Sequence, residues 1–365
     1  MTNFCAQPWI GLDIDPQGNL RPCCKYQSDF GTDIEGYFNS SELANLKDLF
    51  LKDQRPPGCI RCWNDEDAGL PSKRILDKVY RYDKSNLSDL QILSVPFGNT
   101  CNLSCRTCYS GASSKWAEEE KKLKTKFNIQ IYPHKKFYKD SAFINFIKNK
   151  ASTLIDISFP GGESFLTGVQ QHHEYLDFLL EKNPQNITLT YMTNATTFPD
   201  NRYWEKWKYF KKVNISLSID GINDKFEYLR WPAQWNVCYE NIKKYQNQIA
   251  NCTNMQLSIS HTVSIFNVLY LNEFFIWCFK EKLPEPYLGM VETPEYYNVK
   301  NLPKATKELV QKKLVSKKFS PVISFINQEA TIQIDDFLSW TAELDSLRNQ
   351  DFTAIFPELA NIIKQ

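Results

Sequence analysis

The sequence predicts an α/β fold, a partial (β/α)6 TIM-like barrel preceded by a small cysteine-rich lobe. Three observations carry that expectation. From residue 90 onward, six short apolar runs alternate with helix-like stretches, the order that argues for a parallel sheet or barrel. Three of those runs alternate bulky apolar with small polar residues. Eight of the eleven cysteines stand before residue 110, five of them within the first sixty-two positions.

The six runs cover 90–96, 154–160, 187–192, 213–219, 256–263 and 287–291. In the third, Ile187, Leu189 and Tyr191 oppose Thr188, Thr190 and Met192. In the fourth, Val213, Ile215, Leu217 and Ile219 oppose Asn214, Ser216, Ser218 and Asp220, and in the fifth Leu257, Ile259 and Val263 oppose Gln256, Ser258, Ser260 and Thr262. Period-two alternation puts each set on one face of its strand. A closed eight-stranded barrel fills its interior with branched apolar side chains. Small polar ones suggest a cavity for a polar ligand, with the apolar face under helices, and six strands suit an open barrel.

Residues 1 to about 85 read as a weakly regular lobe, with a turn at 15–19 and a helix over 40–51 that ends before Pro56-Pro57-Gly58. Its apolar content is thin, and a metal centre tying Cys5 to Cys62 supplies the missing cross-link, because metal binding is folding energy where no site exists in the unfolded chain. After Pro303 the chain reads as helical and polar, with no repeat or low-complexity tract.

Composition narrows the classes. A 42% hydrophobic chain of 365 residues can bury a full core. Its 43 Lys and Arg against 42 Asp and Glu leave a net charge of +1, which gives no support for a polyanion-coating surface. The cluster Lys121, Lys122, Lys124, Lys126, Lys135 and Lys136 reads as a solvated face, and nucleic acid is not an expected partner. With no charged-then-apolar start and no run of eighteen apolar residues, the chain is expected to be cytoplasmic and without a membrane partner. In a reducing compartment eleven cysteines point to metal rather than to disulfides.

Cys101-Asn-Leu-Ser-Cys105-Arg-Thr-Cys108 follows the first barrel strand, where β/α proteins place functional loops. Gaps of three and two residues let one loop wrap three thiolates around one cubane and leave one iron without a protein ligand. A zinc site is the alternative, and structural zinc wants four closed ligands.

This motif resembles the signature of the radical S-adenosylmethionine (radical SAM) superfamily. The resemblance implies a 4Fe-4S cluster on Cys101, Cys105 and Cys108 that chelates S-adenosylmethionine and cleaves it to methionine and a 5′-deoxyadenosyl radical, which abstracts a substrate hydrogen. Gly161-Gly162-Glu163, at the end of the second strand, resembles the motif that receives the SAM amino group. The physics agrees, since glycines allow close backbone approach and a carboxylate pairs with an ammonium. The resemblance further assigns SAM contacts to Asn194, Ser218, Asp220, Arg230 and Ile265, with Val263 and Asn267 around the last. Ser218 is similar to a ribose contact, and Arg230 stands where the SAM carboxylate is often held. The residue before the third cysteine is often aromatic in the family, whereas here Thr107 stands there and Tyr109 follows.

The N-terminal lobe, taken as 1–85, resembles the SPASM/twitch type of auxiliary-cluster domain, placed ahead of the barrel at 86–303 and a C-terminal helical extension at 304–365. Cys5, Gly18 and Cys23 fit a Cys-x(9–15)-Gly-x4-Cys element, and Cys59-Ile-Arg-Cys62 supplies a second pair. Those four thiolates close a second 4Fe-4S cluster. Consecutive residues of an extended segment point apart, so one of Cys23 and Cys24 is a bystander. A zinc-ribbon-like centre is the alternative.

The resemblance implies hydrogen abstraction from a peptide or protein, ending in epimerisation, dehydrogenation or crosslinking, with electrons from an external donor such as flavodoxin or ferredoxin. A carbohydrate or nucleotide epimerase or dehydrogenase is the alternative among enzymes, and a non-catalytic iron–sulfur redox protein is the alternative outside them. Cys278, in the helix after the fifth strand, and Cys238, ahead of another helix, are candidate hydrogen donors. His172, His173 and His261 read as structural.

Overall fold

A computed structural model describes residues 2–363 apart from 68, 70, 83–86 and 88. The lobe boundary expected near residue 85 lies outside the described residues. Eight strands form an open, mainly parallel α/β sheet in the order β2-β1-β3-β4-β5-β6-β7-β8. They are β1 Gly11–Ile14, β2 Leu20–Arg21, β3 Ile92–Ser94, β4 Asp156–Phe159, β5 Thr188–Thr193, β6 Lys212–Ser218, β7 Met255–Val263 and β8 Tyr287–Met290. All six expected strands are present. The two additional ones lie in the N-terminal segment, which sequence reasoning left irregular.

The chain divides into two compact units, one of residues 1–99, 135–191 and 200–213, the other of 100–134, 192–199 and 214–365. In the first, β1 pairs antiparallel with β2 and parallel with β3, and β3, β4 and β5 continue in parallel. Register sets Leu12, Leu93, Ile157 and Leu189 side by side in one buried row. Burying each such side chain is worth roughly 1.5–3 kcal/mol. The next row, Asp13, Ser94, Ser158 and Thr190, faces the other way and is polar, as the alternation requires.

Helices cover the apolar rows. Ser141–Lys150 starts at Asp140, whose carboxylate accepts from the N–H groups of Ala142 and Phe143, a standard N-cap. Val169–Leu180 buries His172, Tyr175, Leu176 and Leu179. His172 stacks on Phe97 at 4.7 Å between ring centroids and meets the Tyr191 hydroxyl at 3.2 Å. Burial pushes its pKa down to about 3, so it is a neutral core residue. In the N-terminal segment Ser40 caps Ser41–Leu51, which buries Leu43, Leu46 and Phe50.

The second unit carries β7 and β8 in parallel register, Val263 beside Met290. His261 lies on the buried face of β7, as parity predicts, and gives Nδ1 to the Ile219 carbonyl at 2.9 Å. The chain after Pro303 is helical, and its polar reading needs amending. Phe337, Leu344, Phe352 and Phe356 are buried and close an aromatic core with Tyr228, Phe266 and Tyr297. Among the described residues no helix is long and apolar enough to cross a membrane.

Candidate functional site

The second unit holds the cysteine trio on an irregular loop that its surroundings fix from several sides. The N–H of Ser104 donates to the Trp231 carbonyl at 2.6 Å, and that of Arg106 to Leu229 at 2.8 Å. Trp116 Nε1 donates to the Cys105 carbonyl at 2.8 Å and Arg348 to the Ser104 carbonyl at 2.7 Å. Arg106, between the second and third cysteines, is fully buried. It pairs with Asp345, donates to Gln350 Oε1 at 2.9 Å and lies over the Tyr228 ring at 3.7 Å. Arg348 pairs with Glu119 at 2.5 Å. The helix Ile334–Arg348 therefore buttresses the loop, a role no spacing in the sequence signals.

Around the sulfurs are N–H donors. Leu103 N–H approaches Cys101 Sγ at 3.5 Å, Asn194 Nδ2 reaches it at 3.9 Å, and Arg230 Nη1 reaches Cys105 Sγ at 3.9 Å. Burial pushes the Cys105 thiol up, against which Arg230 acts. Burial, then the neighbouring Cys105 and Cys101, push Cys108 up. Such thiols give up their protons when a metal takes them. Three half-buried sulfurs on one loop, with N–H donors beside them, fit a cluster one ligand short of closure.

The remaining expected residues of this unit divide. Arg230 is buried. Burial works against its charge, and Asp220, 2.7 Å away, and Cys105 more than offset that. Asp220 is itself held by the Thr262 N–H at 2.7 Å, and its carbonyl by Asn267 Nδ2 at 3.0 Å. It thus anchors Arg230 beside Cys105. Asn194 donates to Asn102 Oδ1 at 2.9 Å and accepts from Thr196, so it straps its own turn to the loop. Ser218 ends β6 half-buried, while Ile265 is buried and donates its N–H to the Tyr297 carbonyl at 3.0 Å. Thr107 is half-buried, and Tyr109 is exposed with its ring against Tyr132. Cys238 lies in the first turn of the helix Trp235–Ile249 rather than ahead of it, in a stripe with Asn241, Ile242 and Tyr245. Cys278 shares a stripe with Leu271, Phe274 and Phe275. Burial pushes both thiols up to about 12.

In the first unit, Gly161 and Gly162 have φ of +84° and +55° at the end of β4. A Cβ on Gly161 would stand 2.9 Å from Pro16 Cγ and 3.1 Å from Pro96 Cβ, so this turn requires glycine. Glu163 follows, fully buried, and accepts from the Phe165 N–H at 3.3 Å.

The same unit gathers four of the five N-terminal cysteines. Cys5, Cys23, Cys59 and Cys62 line a small pocket, with Trp63, Lys73 and Arg74 among its walls. Cys24 is exposed and is not among the lining residues. Backbone N–H groups meet the sulfurs, from Gln7 to Cys5, Lys25 to Cys23, and both Arg74 and Lys73 to Cys62. Among the described residues no three His, Cys, Asp or Glu side chains converge on one ion position. Four cysteines around one pocket, with N–H donors to their sulfurs, match the ligand count of a closed cubane.

No family model matches the chain. A stretch of 147 residues, 38% of this chain and 36% of the relative, is 29% identical to the cysteine-type anaerobic sulfatase-maturating enzyme of Clostridium novyi (strain NT). The chain thus spans about a third of that relative's length. Among solved structures, native anSMEcpe with bound AdoMet is 15% identical with a TM-score of 0.46, over 71% of this chain and 66% of that one. SuiB of Streptococcus suis bound to the precursor peptide SuiA is 13% identical with a TM-score of 0.40, over 91% and 58%. The similarity to the curated relative bears out the resemblance that the motifs carry.

Proposed function

We propose that the chain is a radical SAM enzyme that modifies a peptide or protein by hydrogen abstraction. The observation that carries this is the loop 101–108, which presents three sulfurs and no fourth while Arg106, Trp116 and Arg348 fix its backbone. When bound, a 4Fe-4S cluster and S-adenosylmethionine supply reductive cleavage of a carbon–sulfur bond and a carbon radical. The chain's own residues do the rest. Cys101, Cys105 and Cys108 hold the cluster. Arg230, kept charged by Asp220, offers a buried cation beside Cys105 where a carboxylate can be held. Glu163 is assigned to the ammonium of the cofactor on the strength of its motif alone.

Cys5, Cys23, Cys59 and Cys62 hold a second cluster, and four sulfurs leave no iron open to substrate. The site geometry supports Cys23 over Cys24. A peptide substrate is favoured because the curated relative is a sulfatase-maturating enzyme, whose name describes action on a protein. The outcome after abstraction, whether epimerisation, dehydrogenation or crosslinking, follows from how the substrate radical is quenched.

Reconstituted and reduced protein, given S-adenosylmethionine and a deuterated peptide encoded beside its own gene, is expected to form 5′-deoxyadenosine that carries deuterium. Formation that ignores the peptide but takes deuterium from a labelled sugar or nucleotide would instead establish the carbohydrate or nucleotide alternative. No formation at all, with clusters intact, would leave the non-catalytic redox protein as the better account.

A further inference from the structure

Within the first unit, the four-cysteine cavity contains a cation whose hydrogen bonds the protein satisfies only in part. Arg74, on the short helix Lys73–Leu76, is 3% exposed and lines the cavity beside the four cysteines. Its Nη1 donates to the carbonyls of Thr2 at 2.9 Å and Phe4 at 3.1 Å, and its Nη2 pairs with Glu66. The guanidinium lies 4.9 Å from the Trp63 ring centroid. The Nε–H is buried and has no acceptor among the described residues. A buried N–H of a charged group is costly to leave unmet. Sulfur held in the cavity is the acceptor at hand, and the backbone N–H of the same residue already meets Cys62.

We propose that Arg74 sets the reduction potential of the four-cysteine centre by donating its Nε–H to sulfur and placing a buried positive charge beside it. This rests on the closed-cluster assignment made above. An iron–sulfur cluster that takes up an electron gains negative charge, and buried cations and N–H donors to sulfur favour that form, which raises the potential. Glu66, anchored by the Ser72 hydroxyl at 2.5 Å, neutralises part of the charge and opposes the effect. The two residues therefore act with opposite sign. A merely structural pair would not.

The test uses the full chain with Cys101, Cys105 and Cys108 replaced by Ala, so that one centre remains, and follows a one-electron redox titration by electron paramagnetic resonance. Arg74→Gln is expected to shift the reduction equilibrium about tenfold toward the oxidised form, about 59 mV lower for a one-electron couple. Glu66→Gln is expected to move it the other way, and Arg74→Lys, which keeps the charge without the Nε–H, to fall between the parent and Arg74→Gln. Unchanged potentials, or shifts of the same sign in Arg74→Gln and Glu66→Gln, overturn the proposal. If Arg74→Gln holds no iron, Glu66→Gln decides alone: an upward shift supports the role, and any other result overturns it. Iron and sulfide counts separate the two levels. A parent without iron overturns the cluster assignment and this role with it, whereas a full count with an insensitive potential overturns the role of Arg74 only.

Discussion

Replacing Asp345 by Ala is expected to loosen the loop 101–108 from a distance of more than two hundred residues in sequence. Arg106 is 0% exposed and Asp345 13%, so the change strands a buried guanidinium. It also removes the acceptor of the Tyr228 hydroxyl, at 2.8 Å, and of the Phe352 N–H, at 2.7 Å. Breaking a buried ion pair by deleting one partner costs about 3–5 kcal/mol. At about 2–4 °C per kcal/mol for a unit of this size, the midpoint of anaerobic thermal unfolding falls on the order of 10 °C. Iron retention by the loop should fall with it. Deleting the charge as well, in Arg106→Met/Asp345→Ala, is expected to recover part of the loss, with a coupling of about 1–3 kcal/mol in the double-mutant cycle. An Asp345→Ala protein within about 0.5 kcal/mol of the parent, with its iron intact, would refute the view that the helix Ile334–Arg348 clamps the loop 101–108.

Three further outcomes are expected. Gly161→Ala, at a φ of +84° and with Pro16 Cγ 2.9 Å from the new Cβ, should cost on the order of 1–3 kcal/mol in denaturant unfolding; a neutral result contradicts the turn geometry. His172 has its pKa pushed down to about 3 by burial, against an ordinary 6.5. The unfolded chain therefore binds a proton that the folded chain excludes, and stability should fall as pH drops from about 6.5, by about 1.4 kcal/mol per pH unit for one proton. In His172→Gln that slope should be one proton shallower, and an unchanged slope would be inconsistent with a buried neutral imidazole. In the Cys101/Cys105/Cys108 triple-Ala chain, about four irons should remain, as one 4Fe-4S centre implies. Further loss of Cys23, Cys59 or Cys62 should remove them and loss of Cys24 should not; zinc in their place would favour the zinc-ribbon alternative.

The strands were legible because burial on one face imposes alternation, and β5 and β6 show it residue by residue, Leu189 and Tyr191 inward, Ile215 and Leu217 inward. Strands β1 and β2 were not. Gly11–Ile14 is buried at all four positions and Leu20–Arg21 is two residues long, so neither displays a period. The cysteine loop was legible from spacing, which is local. Its supports were not, since Asp345 and Arg348 reach it only through the tertiary fold. The sequence left Cys23 and Cys24 as alternatives on the expectation of an extended segment; the two stand at a bend and turn beyond β2, and Cys23 is the one that lines the pocket with Cys5, Cys59 and Cys62. Arg74 carries no sequence signal because its environment is assembled from Thr2, Phe4 and Glu66.

The central claim is that Cys101, Cys105 and Cys108 carry a cluster that cleaves S-adenosylmethionine. Its most direct test is the yield of 5′-deoxyadenosine from reconstituted, reduced protein, measured side by side for the unaltered chain and the triple-Ala chain at matched occupancy of the four-cysteine centre. The account predicts formation by the first and none by the second. Equal formation by both would contradict it.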